Sequence, residues 1–430
     1  MPRACLCCFF LLLFLLFIPS FSTALAGEQA PRPRAVLLSR NMTGVVYLNV
    51  DNSGDTKVTI GGRSVGISEL IKLKFSNEDK SRRSGKNSVE VHYANGDVLL
   101  GTYGGGGDES IIFSTRSLGA REEAFEDLRA VFFPERIPRN IRGFRETCLK
   151  KVHKLDDIVF LKAEPDKPVA GGIMAFTTGK VKIDTGAEKY GVITPDLIRI
   201  AAVVFARDPE EEEKGGEKKE ESGKKRYPKI TAYLGDGSRL TGHIASLDIG
   251  KLKMTWRGDT LTIPLMDVGT VYFHNPSYVF LSDLEPVEVN ESLYFQKEQE
   301  WPWRRDRSVK DGQALRIRGQ VFQKGLGVHS KSMLTYQLDH QYSVFMATIG
   351  LDDEVEKEAN EGREGNVDFR VTGDGKVLFE AKSVTVADKP KNININVAGV
   401  KRLTLIVDFG KNFHVQDRAD WAEPILIKKK

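Results

Sequence analysis

Four times along the chain an acidic residue precedes apolar positions spaced by three and then by two. Glu69 leads Leu70, Leu73 and Phe75; Asp127 leads Leu128, Val131 and Phe133; Asp196 leads Leu197, Ile200 and Ala202; Asp267 leads Val268, Val271 and Phe273. A gap of three brings two side chains to one side of a helical turn, and a gap of two does so along a strand. Each segment therefore predicts one tight turn of helix running straight into a strand. The acidic positions lie 58, 69 and 71 residues apart, so the unit is far too short to be a large domain. Around these segments the chain reads as brief alternating apolar runs punctuated by Gly, Asn and Asp, with almost nothing patterned as a long helix. The expectation is an all-β protein.

Two of the repeats also share their openings. Tyr93-Ala94-Asn95-Gly96-Asp97 and Leu234-Gly235-Asp236-Gly237-Ser238 are hairpin signals, each followed by a strand holding a glycine, Gly101 or Gly242. Strand, hairpin, strand, short turn and strand in that order resembles small SH3-like or Sm-like barrels. Residues 36–275 thus read as four such units, paired as 36–135 and 155–275. The alternative is one irregular sandwich whose strand endings look alike by chance. A charged insert at 207–226, almost free of apolar side chains, cannot bury enough surface to offset its ordering entropy and reads as a solvated spacer.

The N-terminus has the plan of a cleaved export signal: Arg3, an apolar run from Leu6 to Ile18, then Ala24-Leu25-Ala26. Removing residues 1–26 takes away Cys5, Cys7 and Cys8 and leaves Cys148 alone, so no internal disulfide is available. A secreted, periplasmic or cell-envelope location is expected, without a membrane span. The formal charge of +4, well interleaved, gives no basic patch for nucleic acid.

Enzyme signatures are weak. Gly62-Arg63-Ser64-Val65-Gly66 satisfies a nucleophile-elbow pattern, but it leads into another strand and not into the helix that such a serine needs. Gly104 to Gly107 lack the Lys-Ser/Thr ending of a phosphate loop and read as a mobile loop. The seven histidines show no close metal-ligand spacing. Residues 27–280 offer no alternating strand and helix pattern for a glycosidase barrel. The expectation is a protein with no catalytic residues; a glycoside hydrolase of unrecognised β fold is the least favoured alternative.

The last third carries the most specific motifs. In order they are Gly325-Leu326-Gly327-Val328-His329-Ser330, Phe345 through Asp353, the alternating strand Val367-Asp368-Phe369-Arg370-Val371 closed by the turn pair Asp374-Gly375, and Asp417-Arg418-Ala419-Asp420-Trp421-Ala422. From about 281 to 430 this pattern resembles the NPCBM family, a carbohydrate-binding module of the galactose-binding-like jelly-roll type. The resemblance implies a β-sandwich and a glycan partner. Where this chain has Arg418, family members usually carry His.

Sugars are held by aromatic faces against ring C–H groups and by a few polar groups that fix hydroxyls. On that chemistry the candidate carbohydrate-binding residues are Trp303 and Arg305 in the Trp301-Pro302-Trp303 loop, His329, Asp420 and Trp421. A structural role is the competing reading for His329 and Trp421 in the core, for Trp303 as a cap on the core and for Asp420 tying down a turn. Adjacent Asp352 and Asp353 repel unless paired or bound to a cation, which makes a structural calcium ion the one cofactor expectation. The function read from sequence is a secreted, non-catalytic carbohydrate-binding protein. The rival is an envelope scaffold without sugar binding, whose N-terminal β units recruit a protein partner by β-addition.

Overall fold

In the computed structural model the described residues are 34–39, 43–47, 57–60, 63–66, 70–75, 87–138, 141, 143–151, 153–186, 191–207, 229–248, 250–292, 301–310, 312–355, 365–411 and 413–429. The expected export signal at 1–26, most of the charged insert and the tip of the loop after Val355 lie outside them. Among the described residues there is one α-helix, Phe144–Lys150, and everything else regular is strand or single 3-10 turn.

Three 3-10 turns, Phe125–Asp127, Leu197–Arg199 and Leu265–Asp267, each run directly into a strand, Leu128–Phe132, Ile200–Val204 and Val268–Phe273. The helical turn ahead of a strand is thus present, but it does not cause the gap of three. Leu128, Val131 and Phe133 lie in one core, as do Leu70, Leu73 and Phe75, and Val268, Val271 and Phe273. In a regular strand, positions three apart face opposite ways. Here the ladder shifts by one residue between Leu128 and Ala130, and the strands paired with Leu70 and Val268 show the same irregularity. One extra residue in a bulge returns the third position to the core side. The third copy also moves: the residues that follow its turn into the shared core are Ile200, Val203 and Phe205, three places beyond the sequence alignment, while Leu197 of the turn joins the same core and Ala202 lies in another.

Each unit from Ser88 onward has the same strand succession. In the second, Ser88–Tyr93, Val98–Gly107, Ser110–Thr115 and Gly119–Ala124 pair in turn, and Leu128–Phe132 returns to Ser88–Tyr93. The fourth repeats this with Lys229–Leu234, Arg239–Asp248, Lys251–Trp256, Asp259–Pro264 and Val268–Phe273. Both hairpins sit where expected, with Gly96 and Gly237 at φ of 85° and 96°. Gly242 is needed at the bend of its strand, because a Cβ there would stand 2.2 Å from the Thr255 carbonyl oxygen.

Strand pairing joins the units in an order different from their sequence. Leu128–Phe132 pairs with Ile200–Val204, and Leu70–Phe75 with Val268–Phe273, so second meets third and first meets fourth. The strand after each turn is the open edge of its unit, and like edges satisfy one another's backbone groups. The four glycines expected to be a mobile loop belong instead to the strand Val98–Gly107. A Cβ on Gly106 would lie 2.5 Å from the Ser110 carbonyl oxygen and 2.8 Å from Phe176 Cβ, so only glycine lets the strand cross there. Ser64 of the elbow motif lies in Arg63–Gly66, paired antiparallel with Lys57–Ile60.

The C-terminal part is a sandwich of two antiparallel sheets. One runs Arg304–Arg305, Gly325–His329, Arg418–Lys428, Tyr342–Leu351, Lys391–Asn396; the other runs Glu288–Glu291, Ser332–Gln337, Arg402–Phe409, Asn366–Gly373, Lys376–Thr385. Val367, Phe369 and Val371 are fully buried while Asp368 and Arg370 are half-buried, as the alternation predicts. Phe345, Trp421 and Tyr336 fill the space between the sheets.

Front units and sandwich share one compact unit. Tyr278–Phe280 adds to the sandwich strand Arg418–Lys428, and a satellite core of Ile71, Tyr272, Phe280, Ile425 and Ile427 lies at the seam. There Lys72 Nζ lies 2.6 Å from Glu423 Oε2, and the Tyr272 hydroxyl donates to Glu423 Oε1 at 2.7 Å.

Candidate functional site

The residues singled out from sequence fall into three places. Trp303 and Arg305 come together at the edge strand Arg304–Arg305: the guanidinium lies 5.1 Å from the Trp303 ring centroid. Arg305 also donates to the Leu284 carbonyl at 3.1 Å and pairs with Glu285 at 2.5 Å. The Trp303 N–H donates to Glu291 Oε1 at 3.0 Å. Burial of that carboxyl, against the pull of these donors, raises its pKa to about 7. Trp303 and Arg305 are both half-buried, and Trp303 packs against the core of the sandwich.

His329 lies deeper, 3 % exposed at the end of Gly325–His329. Its Nδ1–H donates to the Ser330 carbonyl at 2.7 Å, and burial pushes its pKa down to about 4, so the ring is neutral near pH 7. The Trp301 ring stacks on it, centroids 6.4 Å apart and planes 15° apart, and the Arg418 guanidinium lies 5.8 Å from the Trp301 centroid. His414 stands 6.3 Å from His329, beside exposed Phe413 and Val415. Trp301, His414 and Arg418 were not singled out as ligand contacts from sequence. The Trp-Pro-Trp spelling was the available signal for Trp301; nothing local announces that residues 301 and 414 meet.

Trp421, Asp420 and Asp352 are sealed from solvent at 1 %, 1 % and 3 % exposure. Trp421 packs edge-on against Phe369 at 5.1 Å inside the sandwich. The Asp352 and Asp420 carboxyls share a hydrogen bond, which requires a proton on one of them. Burial raises Asp352 to about 6, and burial with the neighbouring Asp352 charge raises Asp420 well above the usual range. No side chain so enclosed reaches a ligand at the surface without the sandwich opening. In this structure these three hold the rim from behind.

The calcium expectation meets the same geometry. A calcium ion takes six to eight oxygens. Asp352 instead accepts the N–H groups of Arg316 and Glu354, and Asp353 accepts those of Arg318 and Gly319 at 2.7 and 2.8 Å. These carboxylates tie down the hairpin of Leu315–Ile317 and Gln320–Phe322, and a donor set already turned toward backbone amides does not suit the ion. Among the described residues no group of three or more His, Cys, Asp or Glu is placed to hold a metal.

What the rim can do chemically is offer a tryptophan face flanked by imidazole and guanidinium groups, with a second tryptophan beside an arginine. Among the described residues no helix is long and apolar enough to cross a membrane.

The family described as NPCBM/NEW2 domain matches residues 277–427. A Renibacterium salmoninarum protein, provisionally named an endo-alpha-N-acetylgalactosaminidase, is 30 % identical over 112 residues, which cover 26 % of this chain and 7 % of that protein. The chain therefore spans only a small part of that relative's length. Two solved structures overlap with TM-scores of 0.30 and 0.31. One is CBM51 from Clostridium perfringens GH95 in complex with methyl-galactose, 25 % identical over 35 % of this chain and 99 % of that one. The other is the tandem CBM51 modules of a family 98 glycoside hydrolase from Streptococcus pneumoniae, 12 % identical over 92 % and 88 %. Overlaps of that size bear no weight in assigning a function to this chain.

Proposed function

We propose, residues 277–427 being an NPCBM/NEW2 domain, that this chain is an exported, non-catalytic protein that holds glycans at the rim of its C-terminal sandwich. The observation that carries the reading is the half-buried Trp301 ring, stacked on neutral His329 and edged by Arg418. Trp303 and Arg305 extend the same rim, while Asp420 and Trp421 fix the strand behind it. An apolar ring face with hydroxyl-binding groups beside it is what a pyranose needs. Binding of glycans from an array by the full chain, and at least about a tenfold loss of affinity in Trp301→Ala and Trp303→Ala with unchanged melting, is the expected result. An array on which the wild type retains nothing sinks the reading.

A second reading has its own support. The middle residues of two equivalent 3-10 turns, Ile198 and Met266, are 65 % and 67 % exposed. Apolar side chains at matching places on small barrels, SH3-like or Sm-like in strand order, suit a protein partner. In that reading the front units are a platform and the sandwich an anchor.

A further inference from the structure

Where Tyr278–Phe280 leaves the front units to join the sandwich, the chain encloses a cleft of about 540 Å³. It is lined by neither Trp301 nor Trp303. Part of its lining is aromatic. Tyr233, Tyr272, Tyr278 and Phe280, none more than 9 % exposed, meet edge to face with centroids 5.4 to 5.7 Å apart. They are braced from behind, Tyr272 by Glu423 and Tyr278 by the Phe273 carbonyl, so their edges are fixed in place.

The rest of the lining alternates donors and acceptors. Thr231 Oγ1 stands 2.8 Å from His274 Nε2 and 3.1 Å from Thr241 Oγ1. Lys324 Nζ is 2.5 Å from Asp283 Oδ1 and 2.6 Å from Asp306 Oδ2, so its charge is matched locally. Burial and nearby Lys229 and Lys324 lower the His274 pKa, which keeps the imidazole neutral, able to donate at one nitrogen and accept at the other. The Arg239 guanidinium, also in the lining, donates to the Gly96 carbonyl and leaves one positive group facing the cleft as a donor, and there are too many polar groups for an apolar ligand. Hydroxyls, which donate and accept at once, match it, and ring C–H groups match the aromatic edges. The volume falls within the range of about 300–1,000 Å³ usual for small-molecule sites.

We propose that this cleft is a second saccharide site, taking a neutral mono- or disaccharide whose hydroxyls meet Thr231, His274 and Asp283 while its C–H face meets the Tyr233 and Phe280 edges. It deepens the glycan-binding reading but uses residues from both halves of the chain, none of them from the rim. Titration calorimetry of the full chain with methyl galactoside and with N-acetylglucosamine tests it. The expected result is two sugars per chain, falling to one in His274→Ala and to one in Trp301→Ala, with about a tenfold or greater loss at the altered site. If the rim reading alone fails, the wild type binds one sugar, lost in His274→Ala and kept in Trp301→Ala, and the cleft site stands. Thr231→Val, nearly isosteric, guards against a folding effect: it should weaken the same site with unchanged melting. Sugar binding unchanged in both His274→Ala and Thr231→Val, or no saturable binding of either sugar by the wild type, overturns the proposal.

Discussion

Two buried carboxylates, one in the front units and one in the sandwich, respond to burial in opposite ways. Burial works to raise the pKa of Glu90, but its hydrogen bond with His92 at 2.7 Å and the charges of His92 and Arg145 outweigh it and hold the group far below the usual range. Asp417 has only the Ser330 hydroxyl at 2.5 Å and the Asn366 N–H at 2.9 Å, so burial wins and its pKa rises to about 7. The front seam brings cations to its acids: Glu123 likewise meets Arg121 and Arg257 at 2.8 and 2.7 Å. In the sandwich, Asp417, Asp352 and Asp420 meet hydroxyls, amides and one another, whereas Glu423 meets Lys72 and Glu354 lies 3.9 Å from Arg418. The front is not uniform, since Asp97, Asp157 and Asp236, which lack such cations, are raised by burial too. What decides is whether the fold delivers a positive charge, not whether the carboxyl is buried.

The largest effects should come from the two fully buried tryptophans, one on each side of this comparison. Trp256→Ala and Trp421→Ala are each expected to cost about 3–5 kcal/mol in denaturant unfolding. Trp256→Phe should exceed Trp421→Phe, because the Trp256 indole N–H donates to buried Asp97 at 2.6 Å and its loss leaves a carboxylate without that donor. Equal losses for the two Phe variants would remove the distinction.

Next come two glycines. Gly242→Ala drives a Cβ onto the Thr255 backbone carbonyl at 2.2 Å, and about 1–3 kcal/mol is expected from such overpacking. Gly350→Ala in the sandwich meets the Ile317 Cγ2 methyl at 2.5 Å, and a side chain can rotate away where a backbone carbonyl cannot. Its loss, measured by the same unfolding curves, should be the smaller.

The change sharpest in sign separates the carboxylates themselves. Glu90→Gln at pH 7 should cost about 1–3 kcal/mol, since it strips charge from a matched cluster. The stability that Glu90 supplies is present above its unfolded pKa of about 4.3 and is lost as the pH falls toward the lower folded value. Asp417 runs the other way. Folded protein keeps its proton up to about pH 7 while the unfolded chain releases it near 3.9, so its contribution is full below that pH and disappears as the pH climbs through 7. His329, with a folded pKa of about 4, opposes it between pH 4 and 6.5. Asp417→Asn, neutral at every pH, is therefore expected to match the wild type near pH 4, to lack one component of its decline between pH 4 and 7, and so to be the more stable of the two at pH 7. Melting curves across that range, wild type against variant, check it; parallel curves would refute the raised carboxyl.

How much of this was legible beforehand differs by feature. The repeat of three and then two marked the right strands because burial enforces it, even though its cause is a bulge as well as a turn. It misplaced the third copy by three residues, because Leu197, Ile200 and Ala202 satisfy the pattern as well as Ile200, Val203 and Phe205 do, and only the fold distinguishes them, with Leu197 in the 3-10 turn and Ala202 in a separate core. Of the rim, Trp303 and Arg305 were readable as near neighbours in one short segment. Trp301 over His329 and beside Arg418 was not, since those positions are distant in sequence and meet only through the pairing of Gly325–His329 with Arg418–Lys428.

The sequence by itself determined that the chain is built of short strands and where its hairpins turn, because these follow from local periodicity and turn chemistry, while its last third carries motifs that resemble the NPCBM family. The tertiary structure alone decided which edges pair, which acids meet a cation, which aromatics stay at the rim, and that a polar cleft opens between front and sandwich. Those outcomes depend on contacts between residues tens to hundreds of positions apart, such as Lys72 with Glu423, and no local pattern encodes such a meeting.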